Sequence, residues 1–472
     1  MPTIGMGVDI STLIDAIVAG DTANTAHITA DARELLERGA PAAELAGRVG
    51  MVAAHADPDG QAILTLNATA VLSRWVASLS QAIGEDQYSH LQELPLLVQA
   101  LTATAPFVKA GLATHDTYPE PLFPSGLPEG KTVDDMMREA VDHNDALQVE
   151  RLLFGLYGTG ADYRTMQVRT YDGIATTFQN DGHPLIFAAR GFQLLDAVEW
   201  GDRTPNILHW LAPHLPLHSP EPAWVETVRV FDGDPSHSLA SLRVRLAAPR
   251  DVNALPLRSL ILSDADTTAV CQGVYNALMQ GGASSYGVGS VIALAAADLL
   301  QTIGDDDRDA FVHLAHGLLF AGAVRLAVKH IQDVAILPLL FTSAAYVNTL
   351  HKERTQQVNV PQPSLAPTSF YGSGLIPSTL LETLQQQLQA QDLPGTLATA
   401  GRYRRLGHDP RAIFATIALA ASQTNAAADS GHTLQIVQAA GEEFMAWPAA
   451  LSETNIDALL QTALRATIFA KR

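Results

Sequence analysis

Two stretches 133 residues apart carry nearly the same peptide, and each begins with an imidazole. From His183 the chain reads H-P-L-I-F-A-A-R-G-F-Q-L-L, and from His316 it reads H-G-L-L-F-A-G-A-V-R-L-A-V. A looser copy, H-T-L-Q-I-V-Q-A-A-G-E-E-F, starts at His432, and a fourth, Q-A-I-L-T-L-N-A-T-A-V-L, starts at Gln61. In three of the four a glycine precedes the key residue: Gly60, Gly182 and Gly431. Polar residues entering equivalent helices of a repeated fold are placed to converge on one pocket. Pro184, favoured at a first helical position, puts His183 at the N-cap of its helix. The helix dipole there disfavours imidazolium, so the neutral ring can bind a metal, accept a proton or polarise a carbonyl.

The catalytic candidates are therefore His183, His316, His432 and His313. His313 and His316 lie three apart, on one face of a helix. His183 and His316 are also the candidate metal ligands, with iron the metal such a site would favour; no other cofactor is indicated. Arg190 and Arg325, on the same helices, could orient an anionic or enolic oxygen of a substrate, with Phe187 and Phe320 as apolar contacts. Each candidate has a purely structural counterpart. The histidines could be satisfied by backbone carbonyls in a helical core, and the arginines by interhelical ion pairs. His209, His214 and His218, beside Pro213 and Pro216, read as residues of a proline-punctuated loop.

Other chemistries lack their residues. Cys271 stands alone, which excludes a disulfide framework, a four-cysteine zinc site and a cysteine-ligated iron–sulfur cluster within one chain. It reads as a packed small hydrophobe. The glycines of Gly281–Gly289 lack the dinucleotide-loop spacing, and neither a phosphate-binding G-x-x-x-x-G-K-[ST] nor a glycine-flanked serine nucleophile occurs. The net charge of −20 repels phosphate backbones and anionic lipid, so neither nucleic acid nor membrane is an expected partner. The amino-terminal residues show no signal peptide, and apolar runs such as 334–341 are too short to cross a bilayer, so the expected location is cytoplasmic. The oligomeric state is left open, a homodimer included.

The elements that must position these residues are helices. The chain has 472 residues, 47% hydrophobic and only 6% aromatic, with alanine and leucine dominant. This composition predicts an all-α protein of four degenerate helical units packed into one assembly. The units fall at 1–115, 131–215, 264–352 and 375–472. Between the second and third, at 220–262, W-V-E-T-V-R-V-F (224–231) and L-R-V-R-L (242–246) alternate apolar and polar residues, which predicts a small β-hairpin insert within 224–247. Each unit carries a glycine stop, at Gly39, Gly160, Gly282 and Gly407, placed where a left-handed helix cap is needed. From stop to key residue the distances are 22, 23, 34 and 25 residues. The third requires an insertion, for which Gly304–Asp307 is the natural place. Units of this kind bury their apolar faces on one another, and long linkers favour a closed assembly over an open solenoid.

Three segments also resemble the questin-oxidase-like family. H-P-L-I at His183 with its alanine-rich helix, the His316 segment, and L-L-F-G-L-Y-G-T-G-A-D-Y-R from Leu152 are similar to that family's motifs over about 200 central residues. The resemblance implies an all-helical enzyme of oxygenase type acting on polyketide quinones, with His183 and His316 at its centre. The chain departs from the pattern where the family has paired histidines, retaining only His143, and where Phe187 replaces a second histidine after H-P-L-I. The expectation is thus an oxidoreductase of secondary metabolism acting on a small, largely apolar organic substrate. The competing reading is a non-catalytic helical scaffold that binds a ligand or partner, in which glutamine can replace histidine as at Gln61.

Overall fold

A computed structural model describes residues 8–19, 25–79, 89–114, 117–201, 204–240, 242, 249–304, 307–330, 333–357, 376–451 and 456–470. Among them every regular element is helical. Two kinds of helix start bear on the site. Several start on a side-chain cap: Asp162 accepts from the Thr165 amide at 2.7 Å, Ser284 from Gly287 at 2.9 Å, and Asp409 from Arg411 at 2.9 Å. Three others, Gln61–Ala77, His183–Asp196 and His432–Met445, start on a left-handed glycine with no side-chain cap.

Those three helices and Arg308–His330 form a closed ring in which each packs on two of the others. Their pairings run in the same sense. Gln61 meets Ser430 and Asn67 meets Gln438; His183 meets His316 and, further along, Arg190 approaches Gly322; His316 meets His432 and Arg325 meets Glu443. The four inner helices are therefore parallel, with their dipoles aligned. One outer helix runs against them: Gly289 faces Arg325 while Ala296 faces Gly317, so Ser285–Leu300 is antiparallel to the Arg308–His330 helix.

The glycine stops take the conformation their positions require, with φ of +90° at Gly39, +73° at Gly160, +69° at Gly282 and +75° at Gly407. The longer third spacing has a simple origin. His316 lies eight residues into its helix, whereas Gln61, His183 and His432 open theirs, so much of the added chain between Gly282 and His316 is helix. His183 itself is one position further in than the proline rule suggests. Gly182 occupies the N-cap, because only a left-handed backbone (φ +81°) fits there, and Pro184 follows at the second helical position.

Two sequence expectations are corrected. The first arm of the expected hairpin is helical: Ala223–Gly233 buries Val225, Val228 and Phe231, spaced three apart, and exposes Val230. A short run alternating Val with polar residues satisfies both periods, and packing of the three-residue stripe decides for the helix. The second arm falls mostly outside the described residues. The second correction concerns length. The apolar run at 334–341 belongs to a 23-residue helical stretch, one of three among the described residues (His90–Ala113, Arg308–Lys329, Val334–Gln356) long and apolar enough to cross a membrane. The windows in the last two are 83% and 72% buried inside the fold, where a helix apolar on all sides also belongs.

Candidate functional site: imidazoles at the amino end of the ring

Parallel inner helices bring their amino ends together, and with them three of the expected histidines. The His316 ring lies 5.1 Å from His183 and 5.4 Å from His432, centroid to centroid. Gln61 completes the ring by donating from its amide to the Ser430 hydroxyl. Local backbone conformation fixes the rings. Asn180, Asp181 and Gly182 are all left-handed, at φ +46°, +52° and +81°, an arrangement that costs the two non-glycine residues about 1 kcal/mol each. The turn aims the Asn180 carbonyl at His183, whose Nδ1 lies 2.5 Å away. His432 Nδ1 meets the Asp429 carbonyl at 2.6 Å, and His316 Nδ1 meets the Val312 carbonyl at 3.0 Å.

A carbonyl can only accept, so each Nδ1 carries a proton, and in the neutral form of each ring Nε2 is left with its lone pair. Burial favours the neutral form of the His183 and His316 rings. It lowers the His183 pKa, and with help from the neighbouring His183 and His432 it pushes His316 down to about 4. His214, packed between Phe187 (4.9 Å) and Trp210 (5.1 Å), is also lowered to about 4, by burial first and His218 second. Asp181, which accepts from the Tyr346 hydroxyl at 3.2 Å, opposes these shifts at His183 and His316.

The apolar candidates wall this end. Phe187 contacts the His183 ring at 5.2 Å and covers Gly60; Phe320 covers Gly182 and packs on Phe178 and Tyr346. Thr65 covers Gly431 in the same manner. Thr65, Phe187 and Phe320 each stand four residues after the key Gln61, His183 or His316, so one contact recurs round the ring.

His313 lies outside this cluster. It is half exposed and faces Glu353 at 3.8 Å. Arg190 and Arg325 are carried about two turns down the helices into a buried polar layer. There Arg190 pairs with Glu442 at 2.6 Å and Arg325 with Glu443, while Gln193 links Arg190, Glu442, Asn67 and Gln438. Burial raises Glu443 to about 7 despite Arg325. Burial alone would also raise Glu442, but Arg190 and Gln193 outweigh it and hold the group below the usual range. From the sequence, Arg190, Arg325 and His214 are named, the last as a loop residue, but Asn67, Gln193, Gln438, Glu442 and Glu443 are not. The signal for the layer was a polar side chain recurring six to ten residues after each key residue on helices otherwise apolar on every face.

Among the described residues no group of three or more His, Cys, Asp or Glu side chains is arranged to hold a metal ion. A pair such as His183 and His316 supplies only half of a tetrahedral set. The rings fit proton transfer and hydrogen-bond acceptance at Nε2.

The fold and site define an all-α protein with a ring of parallel helices and a cluster of imidazoles at its amino end. Compared with known proteins, the chain matches no family model, no curated protein and no solved structure.

Proposed function

We propose that the chain is a cytoplasmic enzyme of oxidoreductase type acting on a small, largely apolar organic substrate of the quinone or polyketide class. The carrying observation is the trio of bare Nε2 atoms at His183, His316 and His432, set against Phe187 and Phe320. The His183 or His432 imidazole can take the proton of an acidic phenol, a contribution typically of about 10²–10⁴ in rate, while His316, lowered to about 4, serves as a hydrogen-bond acceptor. The amino ends of the Gln61, His183 and His432 helices favour the anion that results. That electron-rich anion is the form of a phenol that dioxygen oxidises. The resemblance of the His183 and His316 segments to questin-oxidase-like proteins supports the substrate class.

One observation favours a second reading. Gln61 occupies the fourth place of the ring with an amide, which suits a ligand-binding scaffold whose ring positions need only hydrogen-bonding groups. The test is oxygen uptake by the full chain with a panel of hydroxylated anthraquinones, for the parent, His183→Gln and His316→Gln. The enzyme reading expects turnover in the parent and a loss of about 100-fold or more in both variants at unchanged circular dichroism. Turnover that survives both substitutions, or absence of turnover with retained ligand binding, supports the scaffold.

A further inference from the structure

At the opposite, carboxyl end of the ring lies a cleft of about 570 Å³. Four cationic side chains line it, Arg74, Arg325, Lys329 and Arg411, against two anionic ones, Asp196 and Glu442, in a chain whose net charge is −20. Two of the cations are committed: Arg325 to Glu443, and Arg411 to both oxygens of Asp409. Arg74 and Lys329 are exposed and form no ion pair among the described residues.

Compensation of aligned helix dipoles would place cations at all four carboxyl ends. The distribution is different. The His183 helix ends on Asp196, and the His432 helix carries Glu442 and Glu443 in its last turn. Three of the four cations sit on the other two helices, Arg74 on one and Arg325 and Lys329 on the other, and Arg411 joins them in the cleft from Pro410–Ala421. Its surroundings are aromatic. Trp75 and Tyr286 line it, and the Arg325 guanidinium lies over the Tyr286 ring at 5.3 Å. Arg325 is 2% exposed, and its Nη1 has no hydrogen-bond partner. A buried guanidinium nitrogen left unmatched is costly, and the Glu443 pairing through Nε does not relieve it.

Positive charge at the rim, flat aromatic walls and a volume suited to a small molecule select one ligand chemistry. We propose that this cleft is a second binding site, taking a small aromatic carboxylate. Its anionic group lies at Arg74 and Lys329, and its ring rests against Trp75 and Tyr286. Arg325 follows His316 by nine residues, about 13 Å along the helix, so the cleft is separate from the imidazole cluster. The proposal does not depend on the activity assigned to that cluster.

The test is calorimetric titration of the full chain with 2-naphthoate and with its neutral analogue 2-naphthamide, for the parent, the Arg74→Ala/Lys329→Ala double variant and His316→Gln. Both rim residues are exposed, so the double variant is expected to fold, which circular dichroism checks. The expected result is saturable naphthoate binding, weakened about tenfold or more in the rim variant and by added salt, unchanged in His316→Gln, and at least about tenfold tighter than naphthamide. Absence of saturable binding, equal affinity for the amide, or naphthoate binding unaffected by loss of Arg74 and Lys329 overturns the proposal.

Discussion

The Phe320 ring lies across Gly182 so closely that a β-carbon on the glycine would come within 2.2 Å of Cδ2. Phe320 cannot swing aside, being 2% exposed and packed on Phe178 and Tyr346. The glycine thus meets two demands at once, a left-handed backbone and contact with the neighbouring inner helix.

Gly160 meets only the first, since its φ is +73° with open space where a β-carbon would sit. Gly160→Ala should therefore cost about 1 kcal/mol, the strain of the left-handed conformation alone. Gly182→Ala adds displacement of a core aromatic and should cost about 3 kcal/mol or more. Urea denaturation of the two variants checks the difference; equal losses would mean that Phe320 does not seal the turn.

Stability should depend on pH through His316. Its folded pKa of about 4 lies below the ordinary 6.5, so between these values the unfolded chain binds a proton that the folded chain refuses. Stability from this group is complete above about pH 6.5 and is lost as pH falls toward 4. The loss amounts to about 3 kcal/mol. Unfolding free energies measured at pH 7.5 and pH 4.5 should differ less in His316→Gln than in the parent. An unchanged difference would show that the ring is not held neutral by its burial.

Legibility in the sequence followed the range of the interaction involved. The helical class, the glycine stops and the meeting of His183, His316 and His432 were readable because each rests on local spacing or on likeness between segments. Arg190 and Arg325 were found as residues but not as partners of Glu442 and Glu443. That pairing depends on which inner helices become neighbours, and Glu442 follows Arg190 by 252 residues. His313 illustrates the converse. It shares a helix with His316, yet one turn of offset aims it at Glu353 instead of the ring.

The ion pair of Arg325 with Glu443 should respond asymmetrically to losing a member. A guanidinium stays charged, so Glu443→Met strands a buried cation and should cost about 3–5 kcal/mol near pH 7. A carboxyl already pushed up to about 7 can instead take a proton, so Arg325→Met should cost less in mildly acidic solution. A carboxyl whose folded pKa is raised weakens the fold as pH climbs from its unfolded value through the folded one. The parent already carries this loss up to about pH 7, so Arg325→Met, which lets the Glu443 pKa rise further, should lose stability relative to the parent between about pH 7 and 8.5. Denaturation at both pH values measures it, and a pH-independent deficit would contradict the argument.

The helix at Ala223–Gly233 can be separated from a strand by two valines. Val228 is fully buried and Val230 is 66% exposed. On a strand, residues two apart share a face and would be buried or exposed together; on a helix they lie about 200° apart. Val228→Ala removes two buried methyl groups and should cost about 2 kcal/mol, whereas Val230→Ala should fall within about 0.5 kcal/mol of the parent. Equal effects at the two positions would restore the hairpin arm. The expected inequality would fix the face by which this segment packs on the Thr267–Met279 helix and on Pro338–Gln357.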